Sequence, residues 1–376
     1  MPTYLDFNAS APIDMRVLEY MDSIYRNYYG NADSRTHSFG TAAKDLVLFS
    51  RKNIGDILGV DNTDVIFTSG ATESNNLAIV GMLEYALQSG RKHFITTSIE
   101  HKSVLESMKY LQKHGCEVDY VNPEESGRVS ADKILSLVRD DTLLVSMMHV
   151  NSETGIIQPI EEVGSALEKT STYFHIDATQ GFGKLNDTLR KTQYDMMSIT
   201  AHKIGGPQGI GALILRRDAT YRRPPIRPIM FGGPQERGYR PGTTPVALVA
   251  GFSLAAQLSD AEAQDSLRKC ADIKKELLHS ISGLEYAING DQNYCLPSTI
   301  NISFKGVDAE TLFLSLKDIY AFSNGSACNS GSHESSYVLK AMNLPEDRID
   351  EAIRISWDKN TKVDFTQLTE FIKTMV

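Results

Sequence analysis

Short apolar runs that alternate with amphipathic stretches restrict the fold of this 376-residue chain more than any other feature. From 41 to 58, for example, apolar residues recur at helical spacing, and an apolar run follows at 65–68. Strands that alternate with helices in this way form a mainly parallel sheet whose faces are covered by helices. We therefore predict an α/β fold with strands at 65–68, 93–97, 118–121, 143–147, 174–177, 196–199 and 212–215.

The last third of the chain has a different pattern. Two long helices are predicted at 246–258 and 267–281, and further strand and helix patterns follow them, such as the apolar strand at 299–304. Chains of this length commonly form two domains. We expect a large domain of residues 11–248 and a smaller α+β domain made of residues 1–10 and 249–376.

The composition indicates an ordinary globular protein, with 41% hydrophobic and 23% charged residues. The net charge of −9 argues against direct binding to nucleic acid, because such binding neutralises phosphates with an excess of Lys and Arg. No apolar run approaches the ~20 residues that cross a bilayer, and the first residues lack the pattern of a secretory signal. We therefore expect no membrane partner and a cytoplasmic location.

Four cysteines, Cys116, Cys270, Cys295 and Cys328, show no CxxC spacing. In a chain without an export signal they are expected to be reduced, and neither a metal site nor a redox pair is predicted. The contexts of the first three indicate buried structural thiols. Cys328 differs, because it lies in a stretch from 323 to 333 that has almost nothing to bury. We expect that stretch to be a mobile loop.

Two charged residues stand at the ends of predicted strands. Lys203 follows the strand at 196–199 and precedes a turn rich in glycine, so its amine is held at a strand end. A lysine in a partly desolvated pocket condenses with aldehydes, which is how enzymes hold pyridoxal phosphate (PLP) as a Schiff base. Asp177 ends its strand with a carboxylate that needs a cation when buried, and the protonated pyridine nitrogen of PLP is such a cation. A surface lysine beside a turn is the alternative for Lys203 alone.

The segment after the predicted strand at 65–68 is suited to bind phosphate. A glycine turn at Gly70 leads into a predicted helix, whose open N-terminus and the hydroxyl of Thr72 can hold an anion. Alternatively, Thr72 caps an ordinary helix. His101 follows the next strand, where an imidazole can stack on a pyridine ring and exchange protons. A lone histidine is otherwise typical of a hydrogen-bonded core residue.

Four motifs carry a resemblance to a known family: YLDFNASAP at 4–12, TSGATESNN at 68–76, MHVNSETG at 148–155 and GSAC at 325–328. They follow one another in the family's order over nearly the whole chain, which resembles the cysteine desulfurases of the NifS/IscS-like branch of class-V, fold-type I PLP enzymes. The resemblance implies a PLP-dependent transferase fold of the aspartate-aminotransferase type. It also implies a homodimeric enzyme that converts L-cysteine to L-alanine.

The resemblance assigns roles to residues at the predicted strand ends. Lys203 would hold PLP and move the α-proton of the substrate, Asp177 would pair with the pyridine nitrogen, and His101 would stack on the ring and handle protons. The amides of Asn151 and Gln180 would bind the phenolic oxygen. Cofactor contacts are implied for Ala71, Thr72, His101, Asn151, Asp177, Gln180, Thr200, His202, Lys203 and, across a homodimer interface, Thr243. Substrate contacts are implied for Arg354, Asn151 and Asn8.

The roles of Arg354 and Cys328 leave alternatives open. Arg354 would bind the substrate carboxylate, but its place on a strand also suits a structural ion pair. Cys328 would take the sulfur of L-cysteine as a persulfide and pass it to a sulfur-acceptor protein, whereas an incidental surface thiol is the alternative. The acceptor pathway stays open between iron–sulfur cluster assembly, thio-modified tRNA and DNA phosphorothioation.

Other functions fit the same fold. A selenocysteine lyase or an aminotransferase would share Lys203, Asp177 and Arg354, so Cys328 discriminates between those activities and a desulfurase. A non-catalytic partner protein that kept the fold is an alternative of another class. The sequence departs from the family at Trp357-Asp358-Lys359, where relatives carry small and basic residues.

Overall fold

The computed structural model describes residues 2–323 and 335–375. Within these ranges the strands are β1 Thr3–Tyr4, β2 Val65–Thr68, β3 His93–Thr97, β4 Glu117–Val121, β5 Thr142–Met148, β6 Tyr173–Asp177, β7 Met196–Thr200, β8 Gly211–Leu215, β9 Tyr286–Ile288, β10 Thr299–Phe304, β11 Tyr320–Ala321 and β12 Ala352–Ser356. The α-helices are α1 Met15–Asn27, α2 Ser38–Leu58, α3 Ala71–Val80, α4 Leu83–Ser89, α5 Lys102–Lys113, α6 Ala131–Ser136, α7 Ile160–Leu167, α8 Asn186–Lys191, α9 Val246–Ser280, α10 Ala309–Leu316, α11 Tyr337–Ala341, α12 Glu346–Asp350 and α13 Thr366–Met375. Short 3₁₀ helices lie at Asn62–Asp64, Gln235–Gly238 and Gln292–Tyr294.

The central sheet has its strands in the order β2-β8-β7-β6-β5-β3-β4. β4, β3, β5, β6 and β7 run parallel, whereas β8 is antiparallel to both β7 and β2. The predicted α/β class with a mainly parallel sheet is confirmed, and each predicted strand is present with its ends within about one residue. Every residue of β2, β3, β5, β7 and β8 is buried, which explains why these strands are rich in apolar residues on both faces.

Apolar side chains form cores on both faces of the central sheet and around a second sheet. Phe67 and Ile66, neighbours on β2, belong to the cores on opposite faces. The second sheet is antiparallel, in the order β12-β10-β9, and its core includes Leu5 and Trp357. The departure from the family at Trp357 is therefore a buried core position.

One continuous helix, α9, replaces the two helices predicted at 246–258 and 267–281. That prediction was wrong because the polar stretch at 259–266 contains neither glycine nor proline, so nothing in it ends a helix. The first half of α9 packs Phe252 into the core of the central sheet, and the second half packs Leu277 into the core of the smaller sheet. α9 therefore connects the two cores.

The N-terminal segment crosses from the smaller sheet to the central sheet. β1 pairs in parallel with β11, and Asp6 forms a bridge with Ser356. The backbone N–H of Ala11 then donates to the carbonyl of His202 at 2.9 Å, at the end of β7. These contacts place the residues from 8 to 10 beside the turn that follows β7.

Two of the predicted structural thiols, Cys116 and Cys270, are buried. Cys295 is only half-buried, which corrects the prediction for this residue, because it lies in the loop after the 3₁₀ turn Gln292–Tyr294. Cys328 lies outside the described residues. Within residues 2–323 and 335–375, no three His, Cys, Asp or Glu side chains are grouped as a metal site requires. Over the same ranges, no helix has the length and apolar character needed to cross a membrane.

A buried ion pair fixes the irregular segment at 222–245 to the central sheet. Arg51 of α2 donates through both Nη atoms to Glu236, at 2.7 and 2.6 Å, and the two side chains are 8% and 5% exposed. Glu236 also accepts the backbone N–H of Phe67 in β2 at 2.8 Å. Its backbone has φ 46°, a left-handed conformation that costs free energy for a residue with a side chain. The ion pair and the hydrogen bond together hold this turn in place.

Glu236→Ala is expected to lower the free energy of unfolding by about 3–5 kcal/mol, because it leaves the buried guanidinium of Arg51 without its partner. Urea titration followed by circular dichroism measures this loss. Glu285→Ala is the matched control, since the Glu285–Lys305 pair is 71% and 76% exposed. Its loss is expected to cost less than about 1 kcal/mol. Equal effects of the two substitutions would contradict a stabilising role for the buried pair.

Candidate active site

A cavity of about 510 Å³ lies where the parallel strands of the central sheet end. Ligand sites in open α/β sheets are found at this edge. The predicted site residues in its wall are Asn8, Ala71, Thr72, His101, Asp177, Gln180, His202, Lys203 and Arg354. The predicted residues Asn151, Thr200 and Thr243 are not part of the wall, and Cys328 lies outside the described residues.

Asp177 ends β6 with a carboxylate that is buried in the cavity wall. Its Oδ2 accepts from Nδ2 of Asn75 at 2.8 Å, and its Oδ1 accepts the backbone N–H of Thr179 at 3.0 Å. Among the described residues, neither of these donors is charged and no ion pair includes Asp177. A buried carboxylate with this surrounding fits a cationic group of a bound molecule.

Lys203 lies in the turn after β7, with its ammonium group directed at the N-terminal segment. Its Nζ donates to the carbonyl oxygens of Asn8 and Ala9, each at 2.5 Å. The amide of Asn8 is itself held in place, since Nδ2 donates to the carbonyl of Ser152 at 3.1 Å and to the hydroxyl of Thr299 at 3.0 Å. The amine is thus positioned in the same cavity as the Asp177 carboxylate.

Helix α3 begins at Ala71 with an open N-terminus that faces the cavity. Gly70 precedes it with φ 154° and ψ 179°, a conformation essentially restricted to glycine. No side chain caps the helix, so Thr72 is not the helix cap that one interpretation of the sequence predicted. A Cβ atom on Gly211 in β8 would lie 2.8 Å from Cα of Gly70, so a second glycine permits this close approach. Uncapped N–H groups and the positive helix end favour a phosphate.

Thr200 and His202 follow each other closely at the end of β7. The hydroxyl of Thr200 lies 3.0 Å from Nδ1 of His202 and donates to the carbonyl of Ile210 at 3.2 Å. Because the hydroxyl has one hydrogen, His202 donates from Nδ1 in this arrangement. Burial, together with the nearby Lys203 and His101, lowers the pKa of His202 to about 4, so the ring is neutral near pH 7. Thr200 therefore lies behind the cavity wall and contacts His202, which is part of that wall.

His101 follows β3 and caps helix α5. Its Nδ1 accepts the backbone N–H of Ser103 at 3.1 Å and lies 2.8 Å from the hydroxyl oxygen of the same residue. Nδ1 is therefore an acceptor, and the neutral ring carries its proton on Nε2. The predicted role in stacking and proton handling needs a fixed imidazole ring, and helix capping supplies one.

Arg354 of β12 is a buried part of the cavity wall and forms an ion pair. Its Nη2 donates to Asp6 at 2.6 Å, and its Nη1 donates to the carbonyl of Ser152 at 3.0 Å. The structural ion pair that the sequence left open is thus present. A guanidinium has five N–H donors, and these two contacts orient Arg354 in the wall. Asp6 is not among the site residues predicted from the sequence.

The structure separates the two predicted amides. Gln180 lines the cavity, and its Nε2 donates to the carbonyl of Asn8 at 2.9 Å. Asn151 is buried, and its Oδ1 accepts the backbone N–H groups of Glu153 and Thr154, each at 2.9 Å. The amide of Asn151 therefore stabilises the turn after β5, and the structure does not bring it into the cavity.

Asn75 is the clearest site residue that sequence reasoning missed. It is fully buried on α3, where its Nδ2 donates both to Asp177 at 2.8 Å and to the hydroxyl of Ser103 at 2.9 Å. The available signal was its place in the motif at 68–76, just over one turn into the helix. Asn75 orients the carboxylate that the site depends on.

Burial also changes the protonation of groups behind the cavity wall. Burial raises the pKa of Glu100 to about 8, although its Oε1 accepts from the hydroxyl of Thr97 at 2.6 Å and from the N–H of Met148 at 2.8 Å. Burial lowers the pKa of His149 to about 3. Near pH 7, Glu100 is therefore mostly protonated and His149 is neutral.

PLP fits this donor set. The open helix N-terminus suits its phosphate, the unpaired charge of Asp177 suits its pyridine nitrogen, and the amine of Lys203 suits its aldehyde. All three features border one cavity at the strand ends. The fold and the site together define a PLP-dependent enzyme with an aspartate-aminotransferase type of fold.

Similarity to known proteins places the chain more closely. The family model described as aminotransferase class-V matches residues 3–364. The cysteine desulfurase IscS of Vibrio vulnificus (strain YJ016) is 41% identical over 364 residues, which cover 96% of this chain and 89% of that protein. The crystal structure of DndA from Streptomyces lividans is 42% identical, with a TM-score of 0.82, over 93% of this chain and 98% of that chain. A NifS-like protein is 35% identical, with a TM-score of 0.90, over 100% and 98%.

The chain belongs to the aminotransferase class-V family and, within it, to the cysteine desulfurases. The resemblance that its motifs carried is thereby confirmed, as are the predicted fold class, the PLP cofactor and the enzyme class.

Glu100→Gln is expected to remove a pH dependence of stability. The pKa of Glu100 in the folded chain, about 8, lies above its ordinary value of 4.5. The protonated acid therefore stabilises the folded state at low pH, and this contribution is lost as the pH rises through about 8. Between pH 5 and pH 8 the wild type is expected to lose on the order of 2–4 kcal/mol relative to the variant.

Urea unfolding of both proteins at the two pH values measures this difference. Glu106→Gln is the control, since that side chain is 63% exposed and its substitution should leave the pH dependence of the wild type unchanged. A stability difference between wild type and Glu100→Gln that stays constant with pH would contradict a protonated Glu100.

Proposed function

We propose that this cysteine desulfurase binds L-cysteine in the cavity at the strand ends, with Lys203, Asp177 and Arg354 in the roles that the sequence predicts. The observation that supports this most strongly is that the amine of Lys203 and the carboxylate of Asp177 border one cavity. When bound, PLP supplies an electron sink for the bond changes in the substrate. The residues of the chain bind the substrate, orient it and move its protons.

Lys203 would move the proton on the α-carbon of the substrate. The carbonyl groups of Asn8 and Ala9 hold its Nζ at 2.5 Å, so the amine is oriented within the wall. A neutral amine at this place can accept a proton and return it to a neighbouring carbon. Asp177, held by Asn75, would keep the proton on the pyridine nitrogen through an ion pair.

Arg354 would bind the α-carboxylate of L-cysteine. A guanidinium recognises a carboxylate through two parallel N–H donors, which fixes the orientation of the ligand as well as its position. The ion pair with Asp6 holds the group in the cavity wall before the substrate binds. Asn8 lies in the same wall and would contact the substrate beside it.

Cys328, which lies outside the described residues, would receive the sulfur. Its thiolate attacks the sulfur of the substrate, an S–S bond forms, and the C–S bond breaks with its electron pair going to carbon. A proton then completes L-alanine, and His101 would handle the protons of the thiol and the product. The persulfide on Cys328 passes its outer sulfur to an acceptor protein.

We also propose a class of sulfur acceptor, a location and a division into domains. The acceptor belongs to iron–sulfur cluster assembly, tRNA thiolation or DNA phosphorothioation, and the enzyme is cytoplasmic. A pull-down with the persulfide form identifies the acceptor.

Residues 11–248 form a large PLP-binding domain, and residues 1–10 and 249–376 form a smaller domain. The separate cores of the two sheets support this division, with α9 as the connection.

We propose a homodimer on the basis of exposed aromatic residues. Tyr29, after α1, is 71% exposed and stacks on Phe39 of α2 with a ring distance of 5.3 Å. Phe231, in the segment at 222–245, is 89% exposed. Aromatic side chains are enriched in interfaces between subunits. Thr243 of the same segment is also exposed, which supports its proposed contact with the PLP phosphate of the second subunit.

Cys328→Ser is expected to abolish the release of L-alanine and sulfide, because serine cannot carry a persulfide. PLP should remain bound, as a yellow colour that borohydride bleaches. Amino-acid analysis measures the alanine, and Cys295→Ser, at a half-buried thiol elsewhere, is the control that should keep full activity. Undiminished alanine release by Cys328→Ser would contradict the persulfide route and favour a selenocysteine lyase, whereas an aminotransferase would release no alanine from L-cysteine even as the wild type. A wild type without the colour would favour a non-catalytic partner protein.

Phe231→Asp is expected to convert the dimer to a monomer, because the substitution buries a charge in the proposed interface. Size-exclusion chromatography with light scattering measures the mass relative to one chain. Leu314→Asp, at a side chain of α10 that is 63% exposed, is the control and should leave the dimer intact. A dimeric Phe231→Asp variant would contradict this placement of the interface.

A further inference from the structure

A second cavity, of about 770 Å³, borders the first and shares Asn8 and Lys203 with it. Lys184 lines this second cavity, in the turn between β6 and α8. Its ammonium group donates to Oε1 of Gln180 at 3.3 Å. Among the described residues, no carboxylate forms an ion pair with Lys184, so the amide of Gln180 is its polar partner there.

Gln180 connects this amine to the first cavity. Its Nε2 donates at 2.9 Å to the carbonyl of Asn8, the same carbonyl that accepts from Lys203. An ammonium group only donates and a carbonyl only accepts, so the amide satisfies both contacts in a single orientation. In that orientation Nε2 retains a second hydrogen, and Gln180 lines the first cavity, where a ligand can accept it.

We infer that Lys184 is a positioning residue that fixes the amide of Gln180 so that it presents an N–H group, and not its oxygen, to PLP. The inference rests on the proposed function, because it takes PLP to be the occupant of the first cavity. The phenolic oxygen of PLP carries negative charge and needs a donor. A reversed amide would place one acceptor against another, which costs the hydrogen bond and adds repulsion.

The acidic groups that line the same cavity are engaged by other residues. Glu262 of α9 pairs with Arg16 at 2.8 Å. Asp358 accepts the backbone N–H of Asn360, in its own loop, at 2.9 Å. Burial lowers the pKa of Lys184 to about 8, so it is mostly protonated at pH 7. The titratable groups lining the cavity besides Lys184 and Lys203 include Asp14, Arg16, Glu262, Cys270, Asp358, Lys359 and Lys362.

The test is an absorbance titration of bound PLP in the purified holoenzyme. In Lys184→Met, the pKa of the Lys203–PLP linkage is expected to rise by about 0.5 or more. The N–H donor of Gln180 stabilises the deprotonated linkage, and the variant loses that stabilisation. The dissociation constant of PLP, measured by titrating the apoenzyme, is expected to rise several-fold. Lys184→Arg keeps a charged donor and should restore the titration curve towards that of the wild type.

Double substitution separates positioning from a direct effect of charge. If Lys184 acts through the amide, adding Lys184→Met to Gln180→Ala should shift the pKa of the linkage no further. A further shift of equal size would overturn the inference. Cys270→Ser, at a thiol that lines the same cavity, is the control and should leave the absorbance titration of PLP unchanged. A pKa shift as large as that of Lys184→Met would show a general effect of the cavity and overturn the inference.

Gln180→Glu provides a second measurement if Lys184→Met does not fold. Its carboxylate presents only oxygens to the first cavity, so the pKa of the linkage should rise as it does without Lys184, and an unshifted pKa would overturn the inference. A wild type that binds no PLP would overturn the proposed function and the inference together. A normal wild-type titration that Lys184→Met leaves unchanged would overturn this inference alone.

Discussion

The buried carboxylate of Asp177 is the constraint on which the site depends. Asn75 and the backbone of Thr179 satisfy its oxygens with hydrogen bonds, but both donors are neutral. A buried charge without a counter-charge is costly, so a ligand that brings a cation to this place stabilises the folded chain. α3 carries Asn75, and its open N-terminus after the turn at Gly70 suits a phosphate group. One helix therefore contributes to both ends of the proposed cofactor site.

The active site also depends on the docking of two separately packed cores. Asp177 ends β6 and Lys203 follows β7, both in the central sheet, whereas Arg354 belongs to the smaller sheet. The N-terminal segment connects them, because Asp6 pairs with Arg354 while the carbonyl of Asn8 accepts from Lys203. The groups proposed for the cofactor and for the substrate carboxylate therefore share a cavity only when the two cores are in contact.

Local periodicity and strand ends were predictable from the sequence, whereas long-range pairing was not. Buried parallel strands are continuous apolar runs, and their carboxyl ends meet at one edge, so Lys203 and Asp177 could be placed together. The pairing of Asp6 with Arg354 joins opposite ends of the chain, and no local pattern encodes it. Asn151 shows a second limit of prediction from sequence. A polar side chain beside a site can form its hydrogen bonds within its own turn and not with a ligand. The continuity of α9 is a different case, because the absence of glycine and proline at 259–266 was a local signal that favoured a single helix.

Burial around the cavity limits the charges that act on a bound cofactor. Burial raises the pKa of Glu100 to about 8 and lowers the pKa values of His149 and His202 to about 3 and 4. Near pH 7 these three groups are therefore largely neutral, although each lies close to the strand ends. In a region of low dielectric constant, a charge on any of them would act on the proton equilibria of a nearby ligand. In the proposed site, their neutrality would leave the carboxylate of Asp177 to determine the protonation of the pyridine nitrogen, which is the property on which an electron sink depends.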